Sequence, residues 1–409
     1  LINWKIKSVD IEKKASFRNL WLIRLYYFFY FGAMGAVSPF VNLFYISHGL
    51  SGTEIGLLGT ISALVGFLAA PVWGRLNDVA RRPRLILQIA LGANSLAYYL
   101  LSQQTVFLYM AIIIGFNALV SSGINPQSQT QALAAAGQVG AGYGSIRMVG
   151  SIGYSVTAAA SGYLIQQTSL ASGFYAFGIL NVIAALILFT IRTPKQKKSD
   201  QPTAVNLPRL PMRQVFLEIL KNRELMAYMF ALIAISILAN GTSFESVYMQ
   251  RLGASESLIG RLSTFGALAE IPMMLLADRV MRRKGSKTTL LLSYLFYTLG
   301  LSIIVIHPSV ISFFVYRAVI GIAFSLNAVS CTYFVVERAP AQQIATILAL
   351  FSVTISSIVS MIASPISGVL FDWVGPYWLY VNAFAGYVIA IGIMYFLVIR
   401  KKKAVAVQA

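Results

Sequence analysis

Apolar stretches of about twenty residues recur along this chain from one end to the other, and no other feature constrains its fold as strongly. At ~1.5 Å rise per residue, a helix needs about twenty mostly apolar residues to cross a ~30 Å hydrocarbon layer. Twelve such segments can be marked, at 18–46, 53–73, 84–102, 105–133, 143–166, 171–191, 225–250, 257–280, 288–306, 309–336, 342–370 and 376–399. With 57% hydrophobic and only 11% charged residues, the chain has too little polar surface to fold as dispersed soluble domains, and disorder is excluded as well.

The separators between segments are short, except for 192–223, which holds Pro194, Pro202, Pro208 and Pro211. That stretch divides the helices six and six, the arithmetic of an internally duplicated transporter. The expected fold is therefore an all-α membrane protein with twelve transmembrane helices in two pseudo-symmetric six-helix bundles. The bundles are expected at 1–191 and 224–409, joined by a linker at 192–223. The apolar run after the basic amino-terminal segment is too long for a signal-peptide core, so it is expected to remain as the first crossing.

The formal net charge of +19 comes from 32 Lys and Arg against 13 Asp and Glu. With the amino terminus inside, 27 of the 32 basic residues fall at cytoplasmic positions, in the termini, the linker, the loops Arg75–Arg84 and Arg279–Lys287, and at Arg338. The basic excess is thus topological, and it predicts a bacterial-type plasma (inner) membrane with both termini cytoplasmic. No folded basic domain exists to serve a nucleic-acid role. The single cysteine, Cys331, excludes an internal disulfide, and His48 and His307 sit beside helix ends, so neither metal nor organic cofactor is expected. The expected partners are a lipid bilayer and a small-molecule solute, with the chain acting as a monomer.

An ionisable group near the bilayer centre costs roughly 2.5–3.5 kcal/mol on insertion scales, so each marks a candidate site. Arg24 lies near the cytoplasmic face and Glu54 begins the second helix; the deeper groups are Arg147, Glu245, Glu270 and Arg317. Glu245 and Arg317 lie at similar depths and are expected to pair. Glu270 stands in Ala269-Glu270-Ile271-Pro272, where Pro272 removes an amide and should loosen the helix. Burial disfavours a charged carboxylate, which suits a proton carrier; a static bridge from Glu270 to Arg147 is the competing reading. Arg147 sits among Gly144, Gly150 and Gly153, a smooth face for close helix contact, and Tyr154 shares that face seven residues on. A guanidinium and a ring on one wall suit a polar, ring-shaped solute, although snorkelling of Arg147 to the headgroups would also fit its position.

Two loops carry a matching pattern. Asp78 and Arg82 in one, and Asp278 and Arg282 in the other, place an arginine four residues after an aspartate. Both resemble the loop signature of the major facilitator superfamily, and charge-assisted bonds there would form a cytoplasmic gate. Tyr30-Phe31-Gly32-Ala33-Met34-Gly35 in the first helix, with the Gly144-x-x-Arg147-Met148-x-Gly150 segment, resembles the lactose permease branch of that superfamily and its nucleoside and phenylpropionate relatives. The resemblance implies that Arg147 holds the solute, that Tyr154 stacks on it, and that Phe31, Met34, Asn125, Gln129 and Glu270 line the site. It also supports the Glu245–Arg317 pair.

Departures from the family pattern bear on mechanism. The acid expected to partner the arginine is Gln129 here, and the positions expected to carry the proton-coupling His and Glu are Ile320 and Ala323. Proton coupling is therefore expected through Glu270 or Glu245, and an unneutralised Arg147 admits an anionic solute. The resulting reading is a secondary transporter, not an enzyme: a proton-coupled symporter importing a sugar or oligosaccharide, a nucleoside, or an aromatic or sugar acid. An exporter, a uniporter, a lipid-moving protein and a membrane receptor are the alternatives.

Overall fold

The computed structural model describes residues 2–79, 82–191, 212–340 and 343–399. All regular structure among these residues is helical. Eleven helical stretches are long and apolar enough to cross a membrane. The expected crossing missing from these eleven, the eighth at 257–280, carries Arg261, Glu270, Asp278 and Arg279. It forms the first of two helices that meet at a kink at Gly285 within Glu256–Ile306, the second being the ninth crossing. The loop expected between them stays helical apart from Gly285, whose φ of 77° needs a residue without Cβ.

The chain divides into two compact units. Unit 1 comprises Leu1–Leu50, Ile61–Gln196 and Ala254–Leu268; unit 2 comprises Ser51–Thr60, Lys197–Gly253 and Ala269–Ala409. The short segments Ser51–Thr60 and Ala254–Leu268 thus each cluster with the half of the chain that does not contain them in sequence. Of the linker expected at 192–223, residues 192–211 lie outside the described ones.

Unit 1 contains α1 (Ile2–Val37), α2 (Val41–Ser47), most of α3 (Gly52–Val79), α4 (Pro83–Leu101), α5 (Phe107–Ser121), α6 (Ile124–Gly137), α7 (Tyr143–Gln167) and α8 (Ala171–Thr190). The first expected crossing is broken after Val37 and the fourth at Ser122–Gly123. The core gathers Tyr26, Tyr27, Tyr30, Leu87, Leu91, Ile124 and Ile146. Lipid tails are as apolar as leucine, so helices in a membrane rely on close packing and polar contacts to associate. Here Tyr26 bonds Ser128 at 2.5 Å, tying α6 to α1. Asn94 donates to Asn117 at 2.6 Å and accepts from Asn181 at 3.1 Å, joining α4, α5 and α8.

Unit 2 contains α9 (Met212–Lys221), α10 (Arg223–Leu238), α11 (Glu245–Arg251), most of α12 (Glu256–Ile306), α13 (Val310–Val336), α14 (Ile344–Ala349), α15 (Ile355–Val374) and α16 (Pro376–Met394). Its core is built from Leu225, Tyr228, Leu290, Tyr294, Phe334, Phe351 and Ala390. A 3-10 turn at Asn240–Phe244 interrupts the seventh crossing between α10 and α11. The helix therefore restarts at Glu245, and an acid at a helix amino end is favoured by the local dipole. The loosening expected at Pro272 is not seen, because α12 keeps helical dihedrals there and departs from them only at Gly285.

Candidate functional site

In unit 1 the site is assembled by the crossing of α1 and α7. Added to Gly153, a Cβ would overlap the backbone carbonyl of Phe28, and added to Gly150 it would lie 2.7 Å from the Phe31 ring. These two glycines let α1 lie against α7, whereas Gly144 faces open space. The close approach sets the Phe31 ring beneath the Arg147 guanidinium, 4.1 Å from carbon to ring centroid. A cation over an aromatic face is stabilised by the ring quadrupole, by ~0.5–2 kcal/mol depending on desolvation. Arg147 Nη1 also donates to Ser151 Oγ at 3.1 Å, one turn along α7.

Tyr154 lies two turns from Arg147 on the same helix, and its hydroxyl is 3.1 Å from Ser38 Oγ at the end of α1. Within unit 1 no carboxylate among the described residues pairs with Arg147. Met34 is half-buried and packs on the core beside Phe31 and Tyr143. On α6, Gln127 and Ser128 are buried, while Asn125 and Gln129, four residues apart, share the exposed side. No recorded hydrogen bond joins Asn125 or Gln129 to Arg147.

Unit 2 holds a different arrangement. Arg317 Nη2 lies 2.6 Å from Glu245 Oε1, and Arg317 Nε donates to the same oxygen at 2.8 Å. The pair lines a cavity of about 430 Å³ together with Asn240, Thr242, Tyr297, Tyr316 and Tyr387. That volume is in the range of small-molecule sites. Tyr297 and Tyr387 form a stacked pair, with centroids 4.5 Å apart and planes at 14°. Glu270 is close enough to Tyr297 for its charge to act on that ring's hydroxyl. Its backbone carbonyl accepts from Ser325 Oγ at 3.2 Å, holding α12 to α13.

Of the residues expected to form a cytoplasmic gate, Arg82, Asp278 and Arg282 enter no ion pair among the described residues. Arg82, Asp278 and Arg282 are exposed, and the side chain of Asp78 lies outside the described residues. A charge cluster that the sequence motif did not indicate joins α10, α12 and α13 instead. There Glu224 pairs with Lys287 and, at 2.5 Å, with Arg338, which also contacts Glu337 at 3.0 Å. The alternation of like-spaced Asp and Arg drew attention to the loops, whereas Glu224 and Arg338 stand alone at helix ends and carry no pattern. The aromatic wall of Tyr297, Tyr316 and Tyr387 was equally hidden, since single tyrosines in apolar helices do not declare which face they take.

The model of the MFS_1-like family matches residues 20–382. The chain belongs to that family of the major facilitator superfamily. It is 30% identical over 284 residues to a maltose permease of Geobacillus stearothermophilus, covering 66% of this chain and 67% of that one. It is 28% identical to a probable 3-phenylpropionic acid transporter of Escherichia coli, over 67% and 70% of the two chains. A multidrug resistance protein, MdtG of Serratia proteamaculans, is 26% identical over 66% and 63%. Among solved structures, the nucleoside transporter NupG superposes with a TM-score of 0.79 at 15% identity, covering 93% of this chain and 98% of that one. The chain is therefore a membrane-embedded transporter of small solutes, and not an enzyme.

Proposed function

We propose that this transporter imports a small, polar, ring-shaped solute together with a proton, by alternating access. The observation that carries the reading is the Arg147 guanidinium, held over Phe31 and beside Ser151 with no carboxylate among the described residues of its own unit paired with it. Such a group is costly unless a ligand or water satisfies it, and it offers planar paired donors to a carboxylate or to adjacent hydroxyls. Tyr154 supplies an apolar ring face with a polar tip, while Asn125 and Gln129 supply amides for further hydroxyls. Among the relatives, the maltose permease and the 3-phenylpropionic acid transporter are named for the two classes this chemistry suits, a neutral sugar and an aromatic acid.

The coupling proton is assigned to unit 2. Glu270 is the first candidate and Glu245 the second: Glu245 lines the cavity, and Glu270 lies near enough to Tyr297 of its wall to act on that side chain. A proton moving down ~100 mV releases about 2.3 kcal/mol, and the mechanism requires only that solute and proton both bias one conformational equilibrium. The chain works as a monomer in a bacterial inner membrane, with both termini in the cytoplasm. Export is the second reading, favoured by the likeness to MdtG.

Uptake into proteoliposomes under an imposed pH gradient tests the proposal, with solutes first selected by thermal shift from maltose and other sugars, nucleosides and aromatic acids. Accumulation when the outside is acidic is expected. Accumulation only with the opposite gradient would establish export, and transport indifferent to the gradient would remove the proton.

A further inference from the structure

Helix α3 begins with four backbone N–H groups that have no partner within the helix, as every α-helix does. Two are satisfied locally: Ser51 N–H donates to Glu54 Oε2 at 2.8 Å and Glu54 N–H to Ser51 Oγ at 3.2 Å, a reciprocal capping box. The two between them, Gly52 and Thr53, bond to a side chain more than three hundred residues away. Asp372, at the end of α15, accepts from Gly52 N–H at 2.6 Å through Oδ1, and from Thr53 N–H at 2.8 Å and Thr53 Oγ1 at 2.6 Å through Oδ2. Both segments lie in unit 2.

The seam below this contact is built for close approach. A Cβ on Gly52 would lie 2.5 Å from the Phe371 ring and 2.7 Å from the Gly368 carbonyl, and one on Gly56 would meet the backbone of Ser364 and Pro365. Two turns further on, Thr60 Oγ1 donates to the Met361 carbonyl at 3.0 Å. Asp372 spans the two helices, and its bonds are charge-assisted and aimed at the positive end of a helix dipole. Arg251 stacks on the adjacent Phe371 at 4.6 Å and adds positive charge beside it.

We propose that Asp372 is a positioning residue of the transport cycle, a clasp whose release frees the amino end of α3 from α15 and so governs how readily that end opens. The clasp suits release because each group it pairs is one that water can satisfy once the ends part. This rests on the alternating-access reading. The test needs neither solute nor proton gradient, so its failure is distinct from failure of the solute or coupling assignment.

The reporter is Ser364→Cys in full-length protein carrying Cys331→Ser, read as the rate of reaction with a maleimide fluorophore in detergent. Asp372→Ala should raise the rate roughly tenfold at unchanged melting temperature, as expected for loss of hydrogen bonds to a charged group. Thr53→Ala, which removes one neutral donor and keeps the fold, should raise it about threefold. Combined with Asp372→Ala, it should add nothing further. Rates equal to the parent in a folded Asp372→Ala protein would overturn the proposal, as would strictly multiplicative effects of the two changes. Should Asp372→Ala fail to fold, an unchanged rate in Thr53→Ala alone would overturn it.

Discussion

The two units each place an arginine among apolar helices, and they satisfy it in different ways. Arg317 in α13 is matched by Glu245, which the broken seventh crossing presents at a helix amino end, so the two charges offset each other. Arg147 in α7 has a ring face and one hydroxyl, which stabilise a cation without cancelling it. Similar side chains therefore carry different consequences. The first arrangement is held together by its own partner, and the second is left able to attract one. This is why solute recognition is assigned to Arg147, and structural neutralisation to the other arginine's carboxylate.

The comparison is broken most severely by stranding a charge. Glu245→Ala leaves the Arg317 guanidinium unmatched and is expected to cost about 3 kcal/mol, the lower end for a lost partner of a buried pair because the arginine is about a third exposed. Thermal unfolding should show the loss, and the double change Glu245→Gln with Arg317→Gln should recover most of it. Exchanging the two residues should fold but remain slightly less stable than the parent, since arginine at position 245 would face the positive end of α11 at a cost of about 0.3–1 kcal/mol. Stability of the single variant equal to the parent would show that Arg317 does not depend on Glu245.

Arg147→Ala should do the reverse, leaving unfolding nearly unchanged while weakening solute binding roughly tenfold to a hundredfold, the span for hydrogen bonds to a charged group. Calorimetric titration with the solute selected by thermal shift measures it, and unchanged affinity would remove Arg147 from the site. Glu270→Gln sharpens the division of labour, because it should spare counterflow exchange and abolish accumulation driven by the pH gradient. Continued accumulation would pass the coupling role to Glu245.

Much of this was legible in the sequence because bilayer thickness converts directly into residue number. The crossings and the placing of charge at helix depths needed no contact information. The Glu245–Arg317 geometry matches what depth alone suggested, since two opposite charges at one level in lipid have few other partners. Breaks within helices were harder to read. Neither the 3-10 turn at Asn240–Phe244 nor the break at Ser122–Gly123 interrupts the hydropathy, and Pro272, which looked disruptive, is absorbed by a continuous helix. The charge cluster is a different case: Asp278 and Arg282 match a pattern and are exposed, whereas ion pairs form around Glu224, which matches none. Partners far apart in sequence depend on which faces meet, and a single chain does not state that.

The finest distinction between the two units lies in how far the wall beside each arginine is already satisfied. Tyr154 meets Ser38 through its hydroxyl, a neutral hydrogen bond that ties the side chain to the end of α1 without fixing the Arg147 guanidinium. If the ring's apolar face is what meets solute, Tyr154→Phe should keep stacking and lose the bond to Ser38, for a change of about 0.5–1.5 kcal/mol in stability and less than threefold in solute affinity. Tyr154→Ala, by contrast, should weaken binding about tenfold, since an aromatic contact is worth ~0.5–1.5 kcal/mol beyond its buried area. Equal losses in the Phe and Ala variants would show that the hydroxyl, rather than the ring, contacts the solute. Unit 1 would then recognise its ligand by polar groups alone.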